Sequence, residues 1–259
     1  MIKAVDISVT LGKRLILDHV AFEAQAGQVT AIVGPNGSGK TTLLRAVTGD
    51  VAHKGVVSLE GANIAKMPAW ELASRRAVLP QASTLAFPFT VIEVVRMGQQ
   101  NGSSGGFEPI AMAALARVGL QDYANRFLQD LSGGEQQRVQ LARVLAQVWF
   151  PVVDGMPRWL FLDEPVSALD IGHQLQVMQI MRDFAQAGGG VITVMHDLNL
   201  TAMYADRVMM MSGGRLIAND APAQVLTDDI LSRAYNCDLQ TNVLPAAGVP
   251  FILPHMAQV

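Results

Sequence analysis

The sequence holds a single cysteine, Cys237, so no disulfide can form within the chain. That suits a reducing compartment. Charge is also scarce. Lys, Arg, Asp and Glu make up 16% of the residues, where an average soluble domain has about 25%. Such a chain either buries a large core or presents apolar surface that partners cover. The net charge is −3 and no long basic run occurs, which excludes an obvious nucleic-acid groove. No stretch reaches the roughly 18 consecutive apolar residues of a membrane helix. Residues 1–6 carry Lys3 and Asp6 and open no long apolar run, so a secretory signal is not expected. The chain alone is expected to be soluble. No Tyr, Phe or Trp occurs before Phe22, an absence that matters below.

The 259 residues suit one large α/β domain, or one domain with a subdomain. Residues 2–10 alternate in the manner of a strand, and 20–24 read as a second. Residues 11–14 form a turn or loop soon after the first strand. Residues 29–33 are a short apolar run ending at Gly34, as in a buried strand. A helix is expected over 41–48, with short strands at 56–59 and 77–79. From about 85 to 148 the pattern is mostly helical, interrupted by the glycine- and serine-rich loop 101–106. Strand–helix alternation resumes at Trp159, with strands at 159–163, 191–195 and 207–212 and helices at 174–186 and 198–204. Alternating βα units imply a parallel sheet covered on both faces. The expected division is a nucleotide-binding core of 1–84 and 150–220, a helical insert of 85–149, and a tail of 221–259.

The strongest chemical signal is Gly34-Pro35-Asn36-Gly37-Ser38-Gly39-Lys40-Thr41. It matches the P-loop pattern, with a strand before it and a helix after it. The glycines let backbone N–H groups turn toward phosphate oxygens, and the helix N-terminus adds favourable partial charge. Lys40 is expected to reach the β- and γ-phosphates and Thr41 to ligate Mg²⁺, and the nucleotide segment is taken to run through Thr42. A second signal is Leu160-Phe161-Leu162-Asp163-Glu164, an apolar run whose end lies where ligands sit in open α/β sheets. Asp163 is placed to hold Mg²⁺ through water, and Glu164 to act as a general base on the attacking water. Leu131-Ser132-Gly133-Gly134-Glu135 opens a further helical run. It reads either as a second phosphate-binding helix start or as an ordinary capping box, because S-x-x-E is the capping pattern.

Together, the P-loop, Gln81, LSGGE at 131–135, LFLDEP at 160–165, SALD at 167–170 and His196 resemble the ATP-binding subunits of ABC transporters, over essentially the whole chain. The resemblance implies a P-loop NTPase core with a mostly parallel sheet, an N-terminal antiparallel β subdomain and an inserted helical subdomain. It also implies a head-to-tail homodimer that sandwiches two ATP molecules, each between the P-loop of one copy and the 132–135 segment of the other. Ser132, Gly133, Gly134 and Glu135 would then touch the partner's nucleotide. By the same likeness Gln81 contacts Mg²⁺ and senses the membrane subunit, His196 contacts the γ-phosphate, and Asp170 links the two sites. The implied partners are two integral membrane permease subunits and, indirectly, a substrate-binding protein, with no nucleic acid. The implied place is the cytoplasmic face of the inner membrane.

Two positions depart from the family pattern. Leu11 stands where many members carry an aromatic ring that stacks on adenine, and Val166 stands where Thr is common. A soluble ABC-type ATPase acting on ribosomes or DNA is disfavoured by the single domain and the negative charge. A P-loop kinase or GTPase is disfavoured by LSGGE, and a GTPase also by the lack of Asn-Lys-x-Asp. The tract 195–207 is similar to importers of iron chelates, haem and cobalamin. The 147–159 link is long for the family and holds two prolines, a glycine and two tryptophans, so an ordered surface loop is expected there. With the Arg158–Pro165 and 167–174 stretches that follow, it is similar to haem-importer ATPases. Haem is therefore the expected cargo, with ferric siderophores or cobalamin as alternatives. The LAFPF stretch at 85–89 is a candidate permease-docking loop.

Overall fold

The computed structural model describes residues 1–81, 87–100 and 108–253. In chain order the strands are β1 (Ile2–Leu11), β2 (Arg14–Ala24), β3 (Val29–Val33), β4 (Lys54–Leu59), β5 (Ala62–Asn63), β6 (Arg76–Leu79), β7 (Val152–Val153), β8 (Met156–Pro157), β9 (Trp159–Asp163), β10 (Gly190–Val194), β11 (Arg207–Ser212) and β12 (Arg215–Asp220). The helices are α1 (Lys40–Val47), α2 (Ala69–Arg75), α3 (Val91–Gln100), α4 (Glu108–Arg117), α5 (Gly133–Gln147), α6 (Ile171–Gln186), α7 (Leu198–Tyr204), α8 (Pro222–Val225) and α9 (Asp228–Tyr235).

The central sheet has the order β12-β11-β3-β10-β9-β6. All its pairings are parallel except the edge pair β11–β12. Every residue of β3, β9 and β10 is buried, which explains why these strands are continuous apolar runs rather than alternating ones. Their side chains still divide between the two faces. Trp159, Phe161, Ile192, Met209 and Met211 pack on one side with α1 and the N-terminal strands. Leu160, Leu162, Val191, Val208 and Met210 pack on the other with the helices from α3 onward. The layer on the first side is an antiparallel sheet of order β2-β1-β4-β5.

Helices α3, α4 and α5 form the inserted lobe. Val94, Val95, Ala111, Leu115, Leu141 and Val144 meet at its centre. Gly98 lets α3 close on α5: a Cβ there would stand 2.0 Å from the Arg143 carbonyl oxygen. The link after α5 is a small hairpin, β7–β8, rather than a continued helix. Its last tryptophan, Trp159, starts β9 and is fully buried against Phe161, so only part of the link's aromatic character lies on the surface. Of the 85–89 stretch, Leu85 and Ala86 lie outside the described residues. Phe87 is exposed and Phe89 packs against the core. No helix among the described residues is long and apolar enough to cross a membrane.

Candidate active site

The P-loop leaves the C-terminal end of β3 and folds back into α1. Gly34 and Gly39 are the two positions where no side chain fits. A Cβ on Gly34 (φ 143°) would stand 2.1 Å from the Met211 carbonyl oxygen, and one on Gly39 (φ 101°) 2.8 Å from the Leu17 side chain. The loop is pinned from within by Ser38 N–H donating to the Pro35 carbonyl at 3.2 Å. It is pinned from outside by Gly214 N–H donating to the Ser38 carbonyl at 3.1 Å. Its cap residue is glycine and no side chain caps α1, so the first-turn amides are left for an incoming acceptor. The Ser38 hydroxyl is buried without a hydrogen-bond partner. Lys40 Nζ donates to the Gly34 and Pro35 carbonyls, at 2.8 and 3.0 Å. Burial pulls its pKa down, opposed by the carboxylates of Glu164 and Asp163. An ammonium held on its own loop, beside open amides and an unpartnered hydroxyl, is a site built for a polyanion.

Facing it is the end of β9. Asp163 is buried and its Oδ1 accepts from the Thr41 hydroxyl at 3.1 Å. Burial raises its pKa, which the Thr41 bond offsets and neighbouring Glu164 reinforces. Glu164 adopts φ 53°, the left-handed region that non-glycine residues rarely occupy. The backbone is held there on both sides: its N–H donates to the Val194 carbonyl at 3.2 Å, and its carbonyl accepts from Gln137 Nε2 at 3.0 Å. The turn aims the carboxylate at His196, whose Nε2 lies 2.6 Å from Oε1.

Lys40, Thr41, Glu164 and His196 border a cleft of about 410 Å³, while Asp163 is buried behind Thr41 and does not line it. Asn36, Gly37, Gly39, Lys40, Thr41, Thr42, Glu164 and His196 line it, so the P-loop, the expected base and the expected γ-phosphate contact come together. Gly34, Pro35 and Ser38 form the inner side of the same loop. Gln81 does not reach the cleft lining and stands exposed just beyond β6. Ser132, Gly133, Gly134 and Glu135 do not line it either. They form a complete capping box on α5, in which Ser132 N–H and hydroxyl donate to Glu135 Oε2 at 2.8 and 2.7 Å. The Ser132 donors hold the Glu135 pKa down. Asp170 caps α6 by accepting from His173 N–H at 3.0 Å, and that bond is the first cause of its lowered pKa.

Sequence reasoning missed one wall of the cleft. Arg14, Leu15 and Ile16 of β2, with Gly213 and Gly214 between β11 and β12, complete the lining. The Gly213–Gly214 doublet after the apolar run of β11 was the available signal, because it puts a turn at the C-terminal end of a strand beside β3. Leu11 is 47% exposed and lines none of the cleft.

A doubly covered parallel sheet with a P-loop, paired strand-end carboxylates and a helical insert defines a P-loop ATPase of the ABC type. The sequence model described as ABC transporter matches residues 17–167, and the chain belongs to that family. It is 60% identical to the hemin import ATP-binding protein HmuV of Jannaschia sp. (strain CCS1), covering 100% of this chain and 96% of that protein. It is 59% identical to the protein of the same name from Roseobacter denitrificans, covering 98% and 97%. Among solved structures, a nucleotide-free ATP-binding cassette from an ABC transporter matches with TM-score 0.78 at 23% identity, covering 91% of this chain and 98% of that one. A bacterial Atm1-family ABC exporter with ATP bound matches with TM-score 0.78 at 26% identity, covering 91% of this chain and 41% of that one.

Proposed function

We propose that this chain is the ATP-hydrolysing subunit of a bacterial haem importer, acting as a homodimer beneath two membrane permease subunits at the cytoplasmic face of the inner membrane. The observation that carries the cargo is the 60% identity, over the full chain, to a protein named for hemin import. The observation that carries the chemistry is that Lys40, Thr41, Glu164 and His196 line one cleft, with Asp163 bonded to Thr41 beside it.

In this reading the α1 amides and Lys40 bind the triphosphate. Lys40 exchanges two loop carbonyls for phosphate oxygens, which are stronger acceptors for an ammonium. Glu164 takes a proton from the attacking water, and His196 orients that carboxylate and meets the γ-phosphate. Thr41 and Asp163 offer the hard oxygen ligands that Mg²⁺ prefers. Among the described residues no cluster of three or more His, Cys, Asp or Glu forms a complete cage. A Mg²⁺ ion held there would take its remaining ligands from phosphate and water and would neutralise phosphate charge, and Gln81, exposed beyond β6, would have to move toward the cleft to contribute. Ser132–Glu135 serve the nucleotide of the partner copy, and Asp170 links the two sites. Residues 1–84 and 150–220 form the nucleotide core, while 85–149 form the lobe that meets the permease. A periplasmic haem-binding protein acts on the subunit only through that permease.

The test is reconstitution of the subunit with its permease in proteoliposomes. Haem-loaded binding protein is expected to accelerate ATP hydrolysis, while the isolated subunit shows no specific haem binding. Acceleration only by a siderophore-loaded or cobalamin-loaded binding protein contradicts the cargo and leaves the ATPase role standing.

A further inference from the structure

If the cleft takes a nucleotide, its base must be held by something, and among the described residues no Phe, Tyr or Trp lines the cleft. We infer that Arg14 and Leu15 hold the adenine base, the guanidinium plane stacking on its face where an aromatic ring is missing. The inference rests on the nucleotide-site reading above and names a residue that reading does not use.

The placement comes from how β2 crosses the P-loop. The Cβ that Gly39 lacks would fall 2.8 Å from the Leu17 side chain and 3.3 Å from the Ile16 carbonyl oxygen, so the crossing point is Ile16–Leu17. Val9 pairs with Leu17 and Thr10 with Leu15, which leaves Ile16 as an extra residue in β2. A bulge of this kind re-aims the side chains beside it. Leu15 stands 54% exposed while Leu17 is fully buried. Arg14 lies two residues beyond the crossing, or about 7 Å at the usual strand rise. A nucleotide whose phosphates rest on Gly39 and Lys40 carries its ribose and base outward over a comparable span.

The chemistry of Arg14 fits that place. Among the described residues it has no carboxylate partner, whereas Arg215, on neighbouring β12, is bonded to Asp18. A guanidinium is planar, weakly hydrated and stacks on π faces. Leu15 and Ile16 add apolar contact to the same wall. Stacking reads the face of a base and not its edge, so adenine and guanine are held with similar strength.

The experiment measures binding of ATP, GTP and inorganic tripolyphosphate to the full chain by titration calorimetry. Arg14→Ala is expected to weaken ATP and GTP alike, by roughly twofold to thirtyfold, and to leave tripolyphosphate affinity and the melting temperature unchanged. Arg14→Lys, which keeps the charge without the plane, is expected to restore little, and Arg14→Tyr to restore most of the loss. Unchanged ATP affinity in Arg14→Ala overturns the inference. An equal loss for tripolyphosphate also overturns it, because Arg14 is then a phosphate ligand. Failure of the underlying site reading is recognised separately, as wild-type affinities that Lys40→Ala does not alter.

Discussion

Helices α1 and α5 begin in opposite ways. Glycine precedes α1 and no side chain caps it. Ser132 precedes α5 and a full capping box with Glu135 closes it. The first start leaves its donors open beside Lys40 and the unpartnered Ser38 hydroxyl. The second is satisfied by its own chain, and the Ser132 donors keep the Glu135 carboxylate in its charged form. A free phosphate gains much at α1, whereas at α5 it must compete with Glu135 for the Ser132 hydroxyl. The difference teaches that only α1 can capture a nucleotide unaided. The α5 start can contribute once a phosphate is already fixed against it, as it would be in the proposed head-to-tail dimer, where a second copy brings one on its own P-loop.

The prediction of largest effect breaks the chemistry while sparing the α1 contacts. Glu164→Gln keeps the shape and the His196 neighbour but loses the proton acceptor. Hydrolysis is expected to fall at least about a hundredfold, in the range for loss of a general base, while ATP still binds. Steady-state turnover and nucleotide titration together check both parts.

Next is Lys40→Ala, which breaks the α1 start itself. Loss of a charged hydrogen-bond donor is expected to weaken ATP binding by roughly tenfold to a hundredfold. The same titration reads it. No equivalent loss is expected from altering the α5 start in an isolated, undimerised chain.

The smallest effect concerns the cost of the α1 side. Burial raises the pKa of Asp163, so its ionised form disfavours the folded state. The folded state holds this proton to higher pH than the unfolded chain does. Stability therefore falls as pH rises from the ordinary carboxylate value through the raised one, and the cost is fully present above both. Asp163→Asn removes that cost. Its nucleotide-free melting temperature is expected to exceed the wild type's at neutral pH, and the advantage to vanish below about pH 4. Melting curves across pH check this, and a wild type more stable at neutral pH contradicts it.

The same contrast explains what the sequence made legible. The P-loop, the Asp163–Glu164 pair and the strands β9 and β11 could be read because continuous apolar runs and a fixed glycine spacing admit few alternatives. The second strand was expected over 20–24 but begins at Arg14, because the chain reverses over Gly12–Lys13 and pairs at once. Edge strand β12 was not foreseen. Its residues alternate weakly and are half-exposed, and only pairing with β11 defines it. Helix α2 buries none of its residues, so it carries no core pattern to read. Within the site, the missed wall comes from residues 14–16 and 213–214, which are brought together only by tertiary structure. For LSGGE the sequence offered two readings. The capping box is observed, and a role toward a second nucleotide is compatible with it.

That role is tested most directly by mixing two inactive chains, Lys40→Ala and Ser132→Arg, and measuring ATP hydrolysis. In a head-to-tail dimer each parent dimer has two broken sites. Each mixed dimer has one site with an intact α1 start from one copy and an intact α5 start from the other. Hydrolysis absent from either chain alone is expected to appear in the mixture, below the wild-type level. A mixture as inactive as its parents would mean that both helix starts serve the same nucleotide within one chain, which contradicts the account.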